Sequence, residues 1–292
     1  MRQIYVVGNG NIGREFCRRG SSSIYVYSRG DIDISNYSSI IQAFDNRPID
    51  VIINTASIND MDTAENYPTE AYNVNAIGAF NLARFCCGRN IPLVHISNTS
   101  VFGNFGDYWQ TPLTEEDRTD PISVYGSSKL AGEHLIRKTW HKHFIIRTSE
   151  IYGLGESLVR WVINCEDIVK ITDDQTFAPT SAKSLVDKIL DLDYSSNYGL
   201  YHYANGGSTT WPEFIREIYH LLERDVKSLQ VDLEQVQTSA QSPCYAVLNS
   251  DRFLNLLDQK QTHWKDDLKC YLPIMLDYLG YDNEESDDEV WH

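Results

Sequence analysis

Tyr125 and Lys129 bracket the stretch Tyr125-Gly-Ser-Ser-Lys129, the only Tyr-x-x-x-Lys in a chain with 18 tyrosines. On a helix this spacing puts phenol and ammonium on one face. A cation beside a phenol favours phenolate and pulls the tyrosine below its reference value of about 10, which readies it to trade a proton near neutrality. The pair is a candidate acid–base centre. Alone, it reads better as a surface tyrosine and a solvated lysine, so its surroundings decide.

Those surroundings begin at Gln3-Ile-Tyr-Val-Val-Gly-Asn-Gly-Asn-Ile-Gly13. An apolar run, Ile4 to Val7, breaks into glycines and then into helix-like sequence, Asn11 through Arg19. Gly8, Gly10 and Gly13 keep the G-x-G-x-x-G spacing of a dinucleotide-binding turn: one for the tight turn, one for close approach to a pyrophosphate, one for helix-on-strand packing. The helix N-terminus offers free N–H groups and the positive end of its dipole. A second strand, Ser23 to Tyr27, ends in Ser28-Arg29 rather than the carboxylate that binds a ribose 2′-OH. Serine and arginine suit a 2′-phosphate. NADPH is therefore the expected cofactor, with NADH the alternative.

Further strands are expected at Asp50–Asn54, Pro92–Ser97 and His143–Thr148. Helices are expected at about 37–46, 69–89 and 123–140, the last of them carrying Tyr125 and Lys129. Alternation of this kind predicts an α/β fold, a Rossmann-type doubly wound parallel sheet. Residues 1–150 read as the NAD(P)-binding domain. Residues 151–280, with shorter elements and more aromatics, read as a smaller substrate-binding region that returns a strand or two to the sheet. The acidic run Glu284, Glu285, Asp287, Asp288 and Glu289 predicts a disordered tail over 281–292.

A formal charge of −16 argues against nucleic acid as a partner. No apolar run approaches the roughly 18–20 residues needed to cross a bilayer, and no basic-then-apolar leader precedes the first strand, so no membrane role and a cytoplasmic location are expected. The six cysteines and the pair Asp173-Asp174 lack ligand spacing, so no metal is expected. His95 reads as a satisfied core histidine, and Trp109 with Pro112–Asp117 as either a lid or an exposed connection.

Taken together, the chain resembles an extended short-chain dehydrogenase/reductase, and within that group it is similar to the dTDP-4-dehydrorhamnose reductase family. The resemblance is carried by Val51-Ile-Ile-Asn-Thr-Ala56, Asp62-Thr-Ala-Glu65, Asn73-Val-Asn-Ala76, His95-Ile-Ser97 with Val101-Phe102, and Tyr125 through Glu133. It continues through Ile145-Ile-Arg-Thr-Ser149, Ile151-Tyr-Gly153, Gly199 to Ala204, Trp211-Pro-Glu-Phe214 and Val247-Leu-Asn-Ser250, to about residue 275. It implies hydride transfer from reduced nicotinamide to the 4-keto carbon of a nucleotide-diphosphate 6-deoxy sugar, in nucleotide-sugar and surface-polysaccharide synthesis, with Tyr125 protonating the oxygen. Lys129 would bind the nicotinamide ribose. Gly10, Asn11 and Ile12 would form the pyrophosphate turn, Asp33 and Ile34 would meet adenine, and Thr55, Ala56, Ser57 and Asn59 would line the cofactor. A homodimer through the helix of Tyr125 is possible in such a family, although Ala131, Leu135 and Ile136 read equally as monomer core.

Three departures from the family pattern stand out. The glycine turn is one residue shorter than usual. Asn98 occupies the place of a serine or threonine that hydrogen-bonds the reacting carbonyl; its amide can donate there, and Thr99 or Ser100 are neighbours able to replace it. Glu150 replaces a tryptophan near the sugar. Two other readings stay open. One is another nucleotide-sugar enzyme, an epimerase or a dehydratase, although the carboxylate pair of dehydratases is absent at 98–100. The other is a silent NADP-binding regulatory subunit like the β subunit of methionine adenosyltransferase, against which the intact Tyr125/Lys129 pair counts.

Overall fold

The central strands form where β-branched and aromatic residues run together, and Ile4–Val7 and Val51–Asn54 are buried along their whole length. The computed structural model describes residues 2–104, 111–165, 169–171, 175–224, 228–230 and 240–281. Trp109, Asp173-Asp174 and the acidic run Glu284–Glu289 lie outside the described residues. In chain order the elements are β1 (Ile4–Val7), α1 (Asn11–Arg18), β2 (Ile24–Tyr27), α2 (Tyr37–Phe44), β3 (Val51–Asn54), α3 (Met61–Asn66), α4 (Pro68–Tyr72), a π-helical turn (Asn73–Gly78), α5 (Ala79–Arg89), β4 (Leu93–Asn98), a 3₁₀ turn (Thr99–Val101), α6 (Val124–Thr139) and β5 (His143–Thr148). There follow β6 (Ile151–Tyr152), α7 (Leu158–Asn164), β7 (Val169–Ile171), β8 (Thr176–Phe177), β9 (Thr180–Ser181), α8 (Ala182–Leu190), β10 (Gly199–Tyr203), β11 (Thr209–Thr210), α9 (Trp211–Leu221), β12 (Ser228–Gln230), β13 (Tyr245–Ala246), α10 (Asp251–Leu257) and α11 (Trp264–Leu279).

The main sheet has the order β10-β5-β4-β3-β1-β2 and every pairing in it is parallel. Successive side chains of a strand point to opposite faces, and here both faces are covered. Ile4, Val6, Val51, Ile53, Phe144 and Ile146 pack with Phe16 of α1, Leu185 and Ile189 of α8, and Phe253 of α10. Their neighbours Tyr5, Ile52, Leu93 and Ile145 pack on the other face with Ile40 and Phe44 of α2, Leu82 and Phe85 of α5, and Ile136 of α6. One strand and two helices from beyond residue 150 thus join the main layers. A separate core gathers α7, α9 and α11 around Phe177, Phe214 and Tyr271.

The stretch 69–89, expected as one helix, is helical throughout but not α-helical throughout. Pro68 opens α4, and the chain widens into a π turn before α5. The wider turn points Asn75, Ala76 and Gly78 inward. Gly132 of α6 packs against this turn, where an added Cβ would lie 2.3 Å from the Asn75 carbonyl. A one-residue insertion of this kind leaves little trace in apolar periodicity.

Candidate active site

In an open parallel sheet the ligand crevice lies beyond the carboxyl ends of the strands, where the strand order reverses. Here the reversal is at β1, between β2 and β3. A cleft of about 390 Å³ opens there, lined by residues at the ends of β1, β2, β3, β4 and β5 and by Tyr125 and Lys129 of α6.

The glycine turn forms its floor. Gly8 has φ +114°, and a Cβ on it would lie 2.5 Å from Thr55 Oγ1 and 2.6 Å from the Ala56 nitrogen. Gly10 faces open space, so a ligand can reach its backbone and the first amides of α1, which lack intrahelical acceptors. Gly13 does not line the cleft. A Cβ there would sit 2.0 Å from the Gly8 carbonyl oxygen, so Gly13 supports the cofactor turn by letting the helix close on it, the packing role that its place in the motif assigns. Asn11 lines the cleft but has a second task that its position in the motif did not reveal. Its Oδ1 accepts from Gly155 N (2.7 Å) and its Nδ2 donates to the Glu156 carbonyl (2.9 Å), tying the turn to a loop about 145 residues away.

At the end of β2, Ser28 and Arg29 line the cleft. The Ser28 amide and hydroxyl both donate to Asp31 Oδ2 (2.8 and 2.6 Å), which holds the Asp31 carboxyl below the usual carboxylate range. Asp33 and Ile34 line it further along, the Asp33 carboxylate accepting from Ser35 (backbone 3.0 Å, hydroxyl 2.7 Å). Thr55, Ala56, Ser57 and Asn59 form the wall after β3. This wall is fastened to α6 by Asn75 of the π turn, whose side chain accepts from Ile58 N (2.9 Å) and donates to the Ile58 carbonyl (3.0 Å) and Ser128 Oγ (2.9 Å).

Tyr125 enters the cleft from the first turn of α6. Ser123 caps that turn by accepting from Gly126 N, and Glu65 accepts from Val124 N (2.7 Å). Gly126 lets the helix approach the 3₁₀ turn, since a Cβ on it would stand 2.0 Å from the Ser100 carbonyl oxygen. Asn98 Nδ2 donates to the Tyr125 phenol oxygen at 2.5 Å, while its Oδ1 accepts from Ser100 N at 3.2 Å. Thr99 and Ser100 also line the cleft, but the group on the phenol is Asn98.

The electrostatics differ from expectation. Burial pushes the Tyr125 phenol well above its ordinary value, and the nearby charge of Glu150 adds to this. The Ser57 hydroxyl opposes the shift, although its geometry falls short of a hydrogen bond. Lys129 does not pull the phenol down, because its ammonium is turned to the Ile96 carbonyl at 2.7 Å. Burial lowers Lys129 to about 8, against the charge of Glu133, which opposes the shift. Glu133 is itself buried, bidentate to Arg147 (2.9 and 2.7 Å) and accepting from Ser97 Oγ (2.5 Å). Tyr125, Lys129 and Glu133 are thus one helix face, of which the sequence reading used only two members.

Glu150 reaches the cleft just past β5. It is exposed in the open cleft, and desolvation by the surrounding protein raises its carboxyl above the usual range. His95 is buried, with Nδ1 receiving Asn54 Nδ2 at 3.0 Å and Nε2 without a partner, so it is half satisfied rather than fully. Residues 112–117 do not line the cleft: Leu113 bridges to residues 247–249, and Glu115 accepts from His202 N (2.8 Å).

A dinucleotide fits this floor, with reachable amides at the glycine turn, a serine and an arginine at the end of β2, and an acid–base pair beyond. Comparison with known proteins agrees. Residues 1–276 match the family model described as the RmlD substrate binding domain. A spore coat polysaccharide biosynthesis protein of Bacillus subtilis is 31% identical over 281 residues, covering 93% of this chain and 97% of that protein. The crystal structure of a dTDP-4-dehydrorhamnose reductase from Clostridium acetobutylicum superposes with TM-score 0.86 at 32% identity, covering 94% of this chain and 99% of that one. A dTDP-4-dehydrorhamnose reductase from Bacillus anthracis, solved in complex with NADP, gives TM-score 0.87 at 30% identity, covering 94% and 100%.

Proposed function

Because the chain belongs to the RmlD substrate binding domain family, we propose that it is an NADPH-dependent reductase of the 4-keto group of a nucleotide-linked 4-keto-6-deoxy sugar, working in nucleotide-sugar and polysaccharide biosynthesis. The observation that carries the reading is the Asn98–Tyr125 contact inside the dinucleotide cleft. A phenol with a donor already on its oxygen, facing a cleft of this kind, is equipped to give its proton to an oxygen.

Bound NADPH supplies the hydride. Gly8, Gly10, Asn11 and Ile12 would hold its pyrophosphate, and Ser28 and Arg29 its 2′-phosphate. Asp33, Ile34, Thr55, Ala56, Ser57 and Asn59 would line the rest, and Lys129 would hold the nicotinamide ribose. Tyr125 donates its phenolic proton to the former carbonyl oxygen as the alcohol forms. As the phenol becomes phenolate, Asn98 Nδ2 stabilises the charge, and its second N–H, or Thr99 or Ser100, can steady the substrate oxygen. In this division of labour residues 1–150 hold the cofactor and residues 151–280 shape the sugar site.

The test is loss of reduced-nicotinamide absorbance with in-situ generated dTDP-4-dehydrorhamnose, comparing NADPH with NADH and wild type with Tyr125→Phe. Turnover that prefers NADPH and disappears in Tyr125→Phe is expected. Tight NADPH binding without turnover of any 4-keto sugar nucleotide would remove the reductase reading and leave a regulatory subunit.

A further inference from the structure

The run Arg147-Thr-Ser-Glu150 leaves β5 after Thr148 and bends at Ser149. The Ser149 hydroxyl is pinned, donating to the Ala246 carbonyl at 3.0 Å and accepting from Ala178 N at 3.3 Å. Its neighbours Thr148 and Glu150 line the cleft. The Glu150 backbone is held, its carbonyl accepting from Thr180 N at 2.9 Å. Its carboxylate is exposed in the open cleft, where no hydrogen bond from a described residue reaches it, and the buried Thr148 hydroxyl has no partner. The cleft therefore offers a substrate two polar groups that no protein side chain engages.

A ligand that closed the cleft without offering a donor would strand this carboxylate in a dry site, which is strongly unfavourable. The ligand must bring the donor. The reacting carbonyl sits at Tyr125, and Thr148 is paired in the sheet with Asn98, the residue on that phenol; Glu150 follows two positions on and lines the same cleft, so the donor belongs on a carbon beside the carbonyl. We propose that Glu150 is a specificity-determining residue: its carboxylate accepts a hydrogen bond from the hydroxyl on the carbon next to the reacting carbonyl, and the substrate class is a nucleotide-linked keto sugar with that hydroxyl unblocked. The proposal rests on the reductase reading and adds a requirement on the sugar.

The experiment measures kcat/KM of wild type, Glu150→Ala and Glu150→Gln on a 4-keto-6-deoxy sugar nucleotide and on its analogue lacking the neighbouring hydroxyl. Wild type is expected to prefer the hydroxylated substrate by about 100-fold or more, as sites built to bond a substrate hydroxyl do. Glu150→Ala should lose about 10- to 100-fold on that substrate and little on the deoxy analogue, a coupling that general damage to the fold would not produce. Glu150→Gln, which keeps an acceptor oxygen, should fall between. Equal loss on both substrates, or a gain in Glu150→Ala, overturns the inference while the reductase reading stands. Preference for an amino analogue over the hydroxyl compound overturns it in favour of an ammonium partner. Failure of wild type to turn over any such sugar removes both.

Discussion

Removing the side chain of Asn98 tests the centre of the site. In Asn98→Ala the phenol oxygen of Tyr125 loses the donor that stands 2.5 Å away. In the resting enzyme this is a hydrogen bond to a neutral phenol. In the transition state it is a bond to a developing phenolate, and bonds to charged groups contribute about 1.5–3 kcal/mol. At about 1.36 kcal/mol per decade, losing that bond lowers kcat by about 10- to 150-fold. If the second N–H also steadies the substrate oxygen, the loss reaches about 10²–10³-fold. The loss should fall on kcat with KM nearly constant, because the interaction strengthens only as charge develops. Asn98→Thr restores a hydroxyl donor and should recover much of the rate, whereas Asn98→Asp sets a carboxylate against the nascent phenolate and should be slower than alanine. The lost turn cap to Ser100 N costs about 1 kcal/mol of stability and is read separately by urea unfolding. A kcat within twofold of wild type, or a change confined to KM, would refute the argument.

Three other outcomes are expected. Lys129 is lowered from 10.5 to about 8 by burial, so below pH 8 the folded state bears the full cost of a buried ammonium, about 3 kcal/mol. Above pH 8 the folded state releases that proton before the unfolded one does, and wild type should gain stability up to about pH 10. Lys129→Met, unfolded in urea across this range, should lack that rise, and a parallel pair of curves would count against it. Gly13→Ala forces a methyl against the Gly8 carbonyl; it should cost about 1–3 kcal/mol in stability and weaken NADPH binding by calorimetry. Asp31→Asn removes a charge held by Ser28 at the end of β2. A 2′-phosphate near Ser28 would lose a like-charged neighbour, so NADPH should bind more tightly with NADH unchanged, and equal effects on both cofactors would contradict that placement.

The sheet, the glycine turn and the Tyr125–Lys129 pair were legible because each is written in local spacing: apolar runs, G-x-G-x-x-G, and i to i+4. What the sequence did not reveal depends on partners far along the chain. Asn11 looked like part of a pyrophosphate turn, but its side chain ties that turn to Gly155 and Glu156. Asn75 joins Ile58 to Ser128 only because a π turn swings it inward.

The tyrosine is the most instructive case, since a lysine four residues on suggests a lowered phenol. The structure turns that lysine to the Ile96 carbonyl and leaves burial and Glu150 to dominate. For a reductase this direction has a use. The tyrosine must carry its proton when substrate arrives, and a raised phenol stays loaded across the physiological range. The same rise would make proton release slow if nothing met the phenolate, and Asn98 is the donor placed to meet it. On this argument Glu150 and Asn98 act on one group in opposite senses, so Glu150→Gln should soften the penalty of Asn98→Ala. A double-mutant cycle on kcat measures that coupling, and strictly additive losses would show that the two side chains act independently.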